Sequence, residues 1–208
     1  MNRSLLLLTA TLLAYTGMAQ LQFNPQLGVT FQQLTNAPER ATYKANAGWI
    51  LGMDVRIGDT FFLQPGAFFG RNATTVTQQI TSGSGSGTVT TIEDDIIRTY
   101  LKLRVLGGWK LINGDAFKLR LAVGPSYDML LSVDNTNEDI SYNQEAYFAN
   151  GSFNLEAGLG MDIAFFTVEP GVAFGLTQVY NDNILVKDID SKYLTFYLTV
   201  GLVFGKGH

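Results

Sequence analysis

From residue 21 onward apolar side chains recur at every second position, and this period limits the fold more than any other feature of the chain. Side chains two apart share one face of an extended strand but diverge on an α-helix, so a sustained period of two reads as strand. Phe23, Pro25, Leu27, Val29 and Phe31 alternate with Asn24, Gln26, Gly28 and Thr30. Ala47, Trp49, Leu51, Met53, Val55 and Ile57 oppose Gly48, Gly52, Asp54 and Arg56. The same pattern marks segments from Phe61 to about Val76, Arg98 to Leu111, Phe117 to Met129, Phe153 to Ile163 and Val168 to Thr177. It is cleanest at the end, where Leu194, Phe196, Leu198, Val200, Leu202 and Phe204 oppose Tyr193, Thr195, Tyr197, Thr199 and Gly201. Eight strands are expected. The composition agrees, because 12% aromatic residues, 22 glycines and only 15% charged residues suit strands and turns better than helices.

The connections alternate in length. Short ones fall at Gly58–Thr60, Ile112–Ala116 and about Ala164–Thr167; long ones fall at about Thr35–Tyr43, Gln78–Asp95, Asp134–Asn150 and Tyr180–Ser191. Turns at one end and loops at the other are the pattern of a transmembrane barrel. Alternation alone does not say which face is inside, but size does: an eight-stranded barrel has an interior just wide enough for side chains. The Phe, Leu and Trp of the apolar parity would overfill it, whereas the Gly, Ala, Ser and Thr of the other parity fit. The polar parity also carries Asp54, Arg56, Arg98, Lys102, Arg104, Lys110, Lys118, Arg120, Asp128, Glu156, Asp162 and Glu169, whose opposite signs can compensate one another inside.

The expected fold is therefore all-β: an eight-stranded antiparallel up-and-down transmembrane β-barrel with apolar side chains facing lipid. Phe23, Phe61, Trp109, Phe117, Phe165 and Phe204 fall near the turn end, where an interfacial girdle belongs. Pro25, Pro65, Pro125 and Pro170 lie within strands, and each removes a ladder donor. Three of them stand near a strand start, where the loss is easily absorbed; Pro125 does not.

The first residues read as an address. A basic start at Arg3 precedes an apolar run from Leu5 to Ala14 and small residues at Gly17 and Ala19. Residues 1–19 are expected to be an export signal cleaved between Ala19 and Gln20, leaving 20–208 as the barrel domain. The run is too short to span a bilayer, and no later run approaches the ~18 apolar residues a membrane helix needs. A net charge of −4 and a pI near 4.9 argue against a nucleic-acid partner. With no cysteine there is no disulfide framework, thiolate site or lipoprotein anchor.

An internal echo accompanies the strands. Leu51-Gly52-Met53-Asp54-Val55 recurs as Leu159-Gly160-Met161-Asp162-Ile163, and Gln64-Pro65-Gly66 with Phe69-Gly70 recurs as Glu169-Pro170-Gly171 with Phe174-Gly175. Matching order in both halves favours duplication of a hairpin. Catalytic chemistry is not visible. The one histidine is the terminal His208, and a Ser-His-Asp or histidine-metal site needs an imidazole held in place. Acidic groups are expected to cluster in the loops, as Glu93, Asp94 and Asp95, as Asp134, Glu138 and Asp139, and as Asp182, Asp188 and Asp190. None has the spacing of an EF-hand, so a solvated acidic rim is preferred over a calcium site. Ser82–Gly87 alternates serine and glycine and reads as a loop tip, because no Lys-Ser/Thr follows to make a phosphate cradle. The sharpest site expectation is a structural charge network in which Arg104 and Arg120 pair with Glu156 or Glu169 across the lumen.

Residues 20 to 208 resemble the porT-like outer-membrane β-barrel proteins of Gram-negative bacteria. The resemblance rests on Gln64-Pro65-Gly66, Glu169-Pro170-Gly171, Tyr100-Leu101-Lys102-Leu103, Gly158-Leu159-Gly160 and Gly175-Leu176-Thr177. It implies an outer-membrane barrel of about eight strands and supplies no catalytic residue; the founding member is linked to protein secretion. Barrels of this kind commonly end in an aromatic residue, whereas here Phe204 is followed by Gly205–His208. The expectation is a monomeric, non-enzymatic outer-membrane protein without cofactor or metal, acting through its surface loops. Its expected partners are outer-membrane lipid, the barrel assembly machinery and an unidentified loop-binding partner, with no nucleic acid. The alternatives are a secretion or assembly accessory of the outer membrane, a soluble periplasmic barrel holding an apolar ligand, and an outer-membrane hydrolase.

Overall fold

A computed structural model describes residues 21–35, 41–81, 89–135, 148–179 and 191–205. The expected leader and its cleavage site at Ala19 and Gln20 lie outside them. The strands are β1 (Leu21–Thr35), β2 (Ala41–Ala45), β3 (Ala47–Gly58), β4 (Phe61–Thr81), β5 (Val89–Asn113), β6 (Phe117–Asn135), β7 (Gly151–Ile163), β8 (Phe166–Gly175), β9 (Lys192–Leu202) and β10 (Phe204–Gly205). Asn46 alone parts β2 from β3 and Val203 alone parts β9 from β10, so the ten segments make eight staves. Every neighbour pair is antiparallel. The sheet closes because β1 pairs with β3 on one side and with β9 and β10 on the other.

The inside-out assignment holds. Along β1 exposed and buried residues alternate, with Leu27 60% exposed and Asn24 and Gln26 buried. The soluble barrel with an inward apolar face is thereby overturned: Phe23, Phe61, Trp109, Phe117, Phe165 and Phe204 all face outward at the turn end. There Phe61 stacks on Trp109 with ring centroids 6.1 Å apart. Toward the loop end, Trp49 meets Phe69 at 5.7 Å and Tyr127 meets Phe153 at 4.7 Å. The turns are tight. Gly58 has φ 126° at the end of β3, a conformation that a Cβ would strain. Ala164 takes φ 53° between β7 and β8.

The connection between β4 and β5 is shorter than the sequence suggests. The β4–β5 ladder runs without a break from Phe61↔Trp109 to Thr81↔Val89, so most of Gln78–Asp95 is strand. Glu93, Asp94 and Asp95 pair with Thr77, Val76 and Thr75 and are not loop residues; Asp134 likewise lies in β6. The reason is local propensity: threonine, valine and isoleucine dominate both sides of this hairpin. Glu138, Asp139, Asp182, Asp188, Asp190, the Ser82–Gly87 tract and His208 lie outside the described residues. β2 extends the same sheet, pairing from Ala41↔Gln78 to Ala45↔Thr74. Pairing of β1 with β3 ends at Phe31↔Ala47, and β6 joins β5 only from Asn135↔Ile96. Among the described residues, β2 and the upper parts of β4 and β5 therefore form a three-stranded extension above the last β1–β3 and β5–β6 pairs.

The echoed hairpins, β3–β4 and β7–β8, hold different registers. Asp54 faces Gly66, whereas Asp162 faces Thr167 and Gly171 faces Gly158. Asp162 and Gly171 are nine positions apart in the chain, against twelve for Asp54 and Gly66. The shorter span moves Asp162 closer to its turn, so the two aspartates enter the lumen at different depths.

Candidate functional site

Alternation turns every second residue into the lumen, and the interior of an eight-stave barrel is just wide enough for those side chains. Desolvated charges must then pair and hydrogen-bond. Arg56, Gln64, Arg120, Glu156, Glu169 and Asp54 are each no more than 1% exposed. Glu169, on β8, accepts from Arg104 Nη2 at 2.9 Å and from Arg120 Nη2 at 2.8 Å. Asp54, on β3, accepts from Asn24 Nδ2 (3.1 Å), Gln26 Nε2 (2.7 Å), Gln64 Nε2 (2.8 Å) and Arg104 Nη2 (2.8 Å). Gln64 also reaches Glu169 Oε2 at 3.3 Å, which joins the two echo positions across the lumen.

A second layer lies nearer the turns. Asp162 takes Arg56 Nη1 at 2.8 Å and Arg120 Nη1, while Thr167 Oγ1 accepts from Arg120 Nη2 at 3.0 Å. A third group lies on the loop side, where Lys102 Nζ sits 2.5 Å from Glu156 Oε1 and 3.1 Å from Asp128 Oδ1. Arg104 Nη1 stands 3.6 Å from Glu156 Oε2, an ion pair too long for a good hydrogen bond. Arg104 thus spans the layers and also lies over Phe68, 4.5 Å from its ring centroid.

The four expected residues are brought together, with one selectivity. Arg104 meets both Glu156 and Glu169, and Arg120 meets Glu169 but pairs with Asp162 rather than Glu156. Asp54, Arg56, Lys102 and Asp162 were expected among the inward charges but not in these pairings, and Gln64 was not expected in the network at all. A signal for them existed: Asp54 and Asp162 are echo partners of the inward parity, and Gln64 holds the echo position of Glu169.

Above the charges the lumen turns apolar. Phe148, Val179 and Tyr193 are buried together, with Leu34, Ile96, Leu130 and Val133 packed around them. Phe148 and Val179 lie at the feet of loops, and Ala149 N donates to Val179 O, and Val179 N to Ser191 O. Arg98 sits against this stopper, 4.2 Å from the Tyr193 ring centroid and 5.7 Å from that of Phe148, and donates to Gln32 Oε1 at 3.1 Å. Between stopper and charges, a void lined by Phe68, Tyr100, Lys102, Glu156 and Tyr197 offers the centre of a water molecule ≈ 10 Å³, room for about one water. Among the described residues no three potential metal ligands gather.

A closed eight-stave barrel with lipid-compatible side chains outside and a filled, charge-compensated interior defines the class of small outer-membrane barrels. The chain belongs to the outer membrane protein beta-barrel domain family, whose pattern matches residues 16–181, and it resides in the outer membrane. Among solved structures, the outer membrane protein OprG from Pseudomonas aeruginosa is similar, with a TM-score of 0.53, 14% identity, and coverage of 91% of this chain and 97% of that one. Ail, the attachment invasion locus protein of Yersinia pestis, solved with the heparin analogue sucrose octasulfate, gives a TM-score of 0.44 and 10% identity over 90% of this chain and 100% of that one. No curated protein sequence matches the chain.

Proposed function

We propose that this protein is a non-enzymatic interaction protein of the Gram-negative outer membrane that acts through its extracellular loops. The observation that carries the reading is the filled lumen: with Arg56, Arg120, Glu156 and Glu169 fully buried, the wall encloses no route for a solute. What a partner can reach is the loop end, and there β2, β4 and β5 project as a sheet whose outer ladder on β5 is unpaired from Val89 to Asp95 among the described residues. The reading includes a monomeric barrel surrounded by lipid, delivered by the barrel assembly machinery after loss of residues 1–19, within the porT-like branch.

A loop-trimmed variant tests it, with the β4–β5 hairpin cut back to Thr74 and Ile96 and the other three loops replaced by short turns. This barrel is expected to assemble, shown by a heat-dependent band in SDS electrophoresis, and to leave its host indistinguishable from a strain lacking the protein. Full complementation by the trimmed barrel refutes the reading. Loss of secreted proteins from the medium only when the turn end is altered favours the secretion or assembly accessory instead.

A further inference from the structure

Each of the four strand prolines interrupts one ladder and leaves the other whole. Between β1 and the last stave, pairing stops at Phe23↔Phe204 and resumes at Gln26↔Gly201. Between β3 and β4 it stops at Asp54↔Gly66 and resumes at Ile57↔Leu63. Between β5 and β6 the gap separates Arg104↔Ser126 from Gly107↔Val123, and between β7 and β8 it separates Gly158↔Gly171 from Met161↔Val168. Every gap covers the proline and the residue before it: Asn24-Pro25, Gln64-Pro65, Gly124-Pro125 and Glu169-Pro170. On its other side each proline sits in a continuous ladder, as Pro25↔Met53, Pro65↔Val105, Pro125↔Leu155 and Pro170↔Leu198.

The arrangement follows one rule. The continuous ladders join β1 to β3, β4 to β5, β6 to β7 and β8 to β9, the pairs connected at the loop end. The interrupted ones are the three seams inside the short-turn hairpins and the seam that closes the barrel. The wall is thus four unbroken loop-end hairpins, each with a proline on the free edge of its first strand. A finished barrel gains nothing from a missing rung, since an unpaired main-chain group facing lipid is costly. An unfinished one does gain: before docking, that free edge is a template for any other strand, and proline is a standard way to blunt such an edge. The ring also fixes its own φ and holds the preceding residue extended, so the marked edge stays straight without offering a donor.

We propose that the four prolines are an assembly device that keeps each hairpin's leading edge from pairing with another copy of the chain until the preceding hairpin docks. The cost is one main-chain hydrogen bond per seam in the native wall.

Proline-to-alanine variants of the mature chain at 25, 65, 125 and 170, singly and together, test this by refolding from urea into phosphatidylcholine vesicles. Folded yield is read from heat-dependent mobility, and unfolding rate from the folded fraction. Each single variant is expected to fold and then unfold about fivefold more slowly, the weight of one added hydrogen bond. Its folded yield should fall more steeply with protein concentration than that of the parent, with cross-copy oligomers in place of monomer. The effect should be largest for Pro25→Ala, whose seam closes last. Parental yield at every concentration, in the single variants and in the fourfold one, overturns the proposal. So does faster unfolding of the single variants, which would make the prolines supports of the native wall. If the fourfold variant fails to fold, the concentration dependence of the single variants decides.

Discussion

Replacing Glu169 with glutamine removes one charge from the best-connected point of the lumen. Its carboxylate holds Arg104 at 2.9 Å, Arg120 at 2.8 Å and Gln64 at 3.3 Å, with its side chain 1% exposed. Glutamine keeps the shape, but its amide nitrogen must face a donor; Arg104 keeps Asp54 and Arg120 keeps Asp162, while both lose the carboxylate they share. One charge-assisted hydrogen bond is replaced by a donor facing a donor and the other is weakened, each worth about 1.5–3 kcal/mol, so the loss is about 3–5 kcal/mol. Glu156→Gln is the internal control. Lys102 would keep Asp128 at 3.1 Å, and Arg104 would keep Asp54 at 2.8 Å and Glu169. The loss then approaches that of one hydrogen bond to a charged group, about 1.5–3 kcal/mol. Urea unfolding in vesicles, followed by the fluorescence of the lipid-facing Trp49 and Trp109, should show the larger midpoint shift for Glu169→Gln. Unchanged midpoints in both variants, or a larger shift for Glu156→Gln, would refute the network as a source of stability.

Leu27→Arg, midway along the lipid face of β1, should cost about 2–4 kcal/mol in the same assay; a tolerated arginine would contradict the outward assignment. Gly171→Val places a side chain against the Tyr197 ring and should cost about 1–3 kcal/mol through overpacking. Tyr197→Leu should recover most of it in a double-mutant cycle, and additive losses would show that the two residues do not touch. Phe148→Ala removes the centre of the loop-end stopper and should cost about 3–5 kcal/mol, with faster amide exchange at Val179 and Leu130; protection unchanged at both would show that the stopper does not hold the loop feet.

The wall was legible in the sequence because its two constraints are local. Leu194 to Phe204 states a strand and its two faces within a dozen residues, and the bulk of Phe, Leu and Trp against the width of eight staves decides which face is inside. The lumen was legible only in part. Arg104, Arg120, Glu156 and Glu169 share a parity, but which of them meet depends on the stagger of the ladders, which alternation does not encode. That stagger lowers Asp162 below Asp54, and so Arg120 pairs with Asp162 instead of Glu156. Phe148 and Val179 were invisible for another reason: they lie outside the strands, where no period marks a buried residue. The β4–β5 extension was missed because Glu93-Asp94-Asp95 reads as solvated loop, while the threonine-rich partner strand opposite it settles the pairing. Pro125 looked misplaced while one strand was viewed alone; the gap opposite Val105 and Leu106 makes it equivalent to the other three.

The central claim is that the barrel is filled and closed, so that it acts at its surface. Single-channel recording of the refolded protein in a planar lipid bilayer with concentrated potassium chloride tests it most directly. The account predicts a flat baseline for the parent protein across the accessible voltage range. Stable, reproducible conductance steps from the parent protein would contradict it and return the lumen charges to the role of a pore.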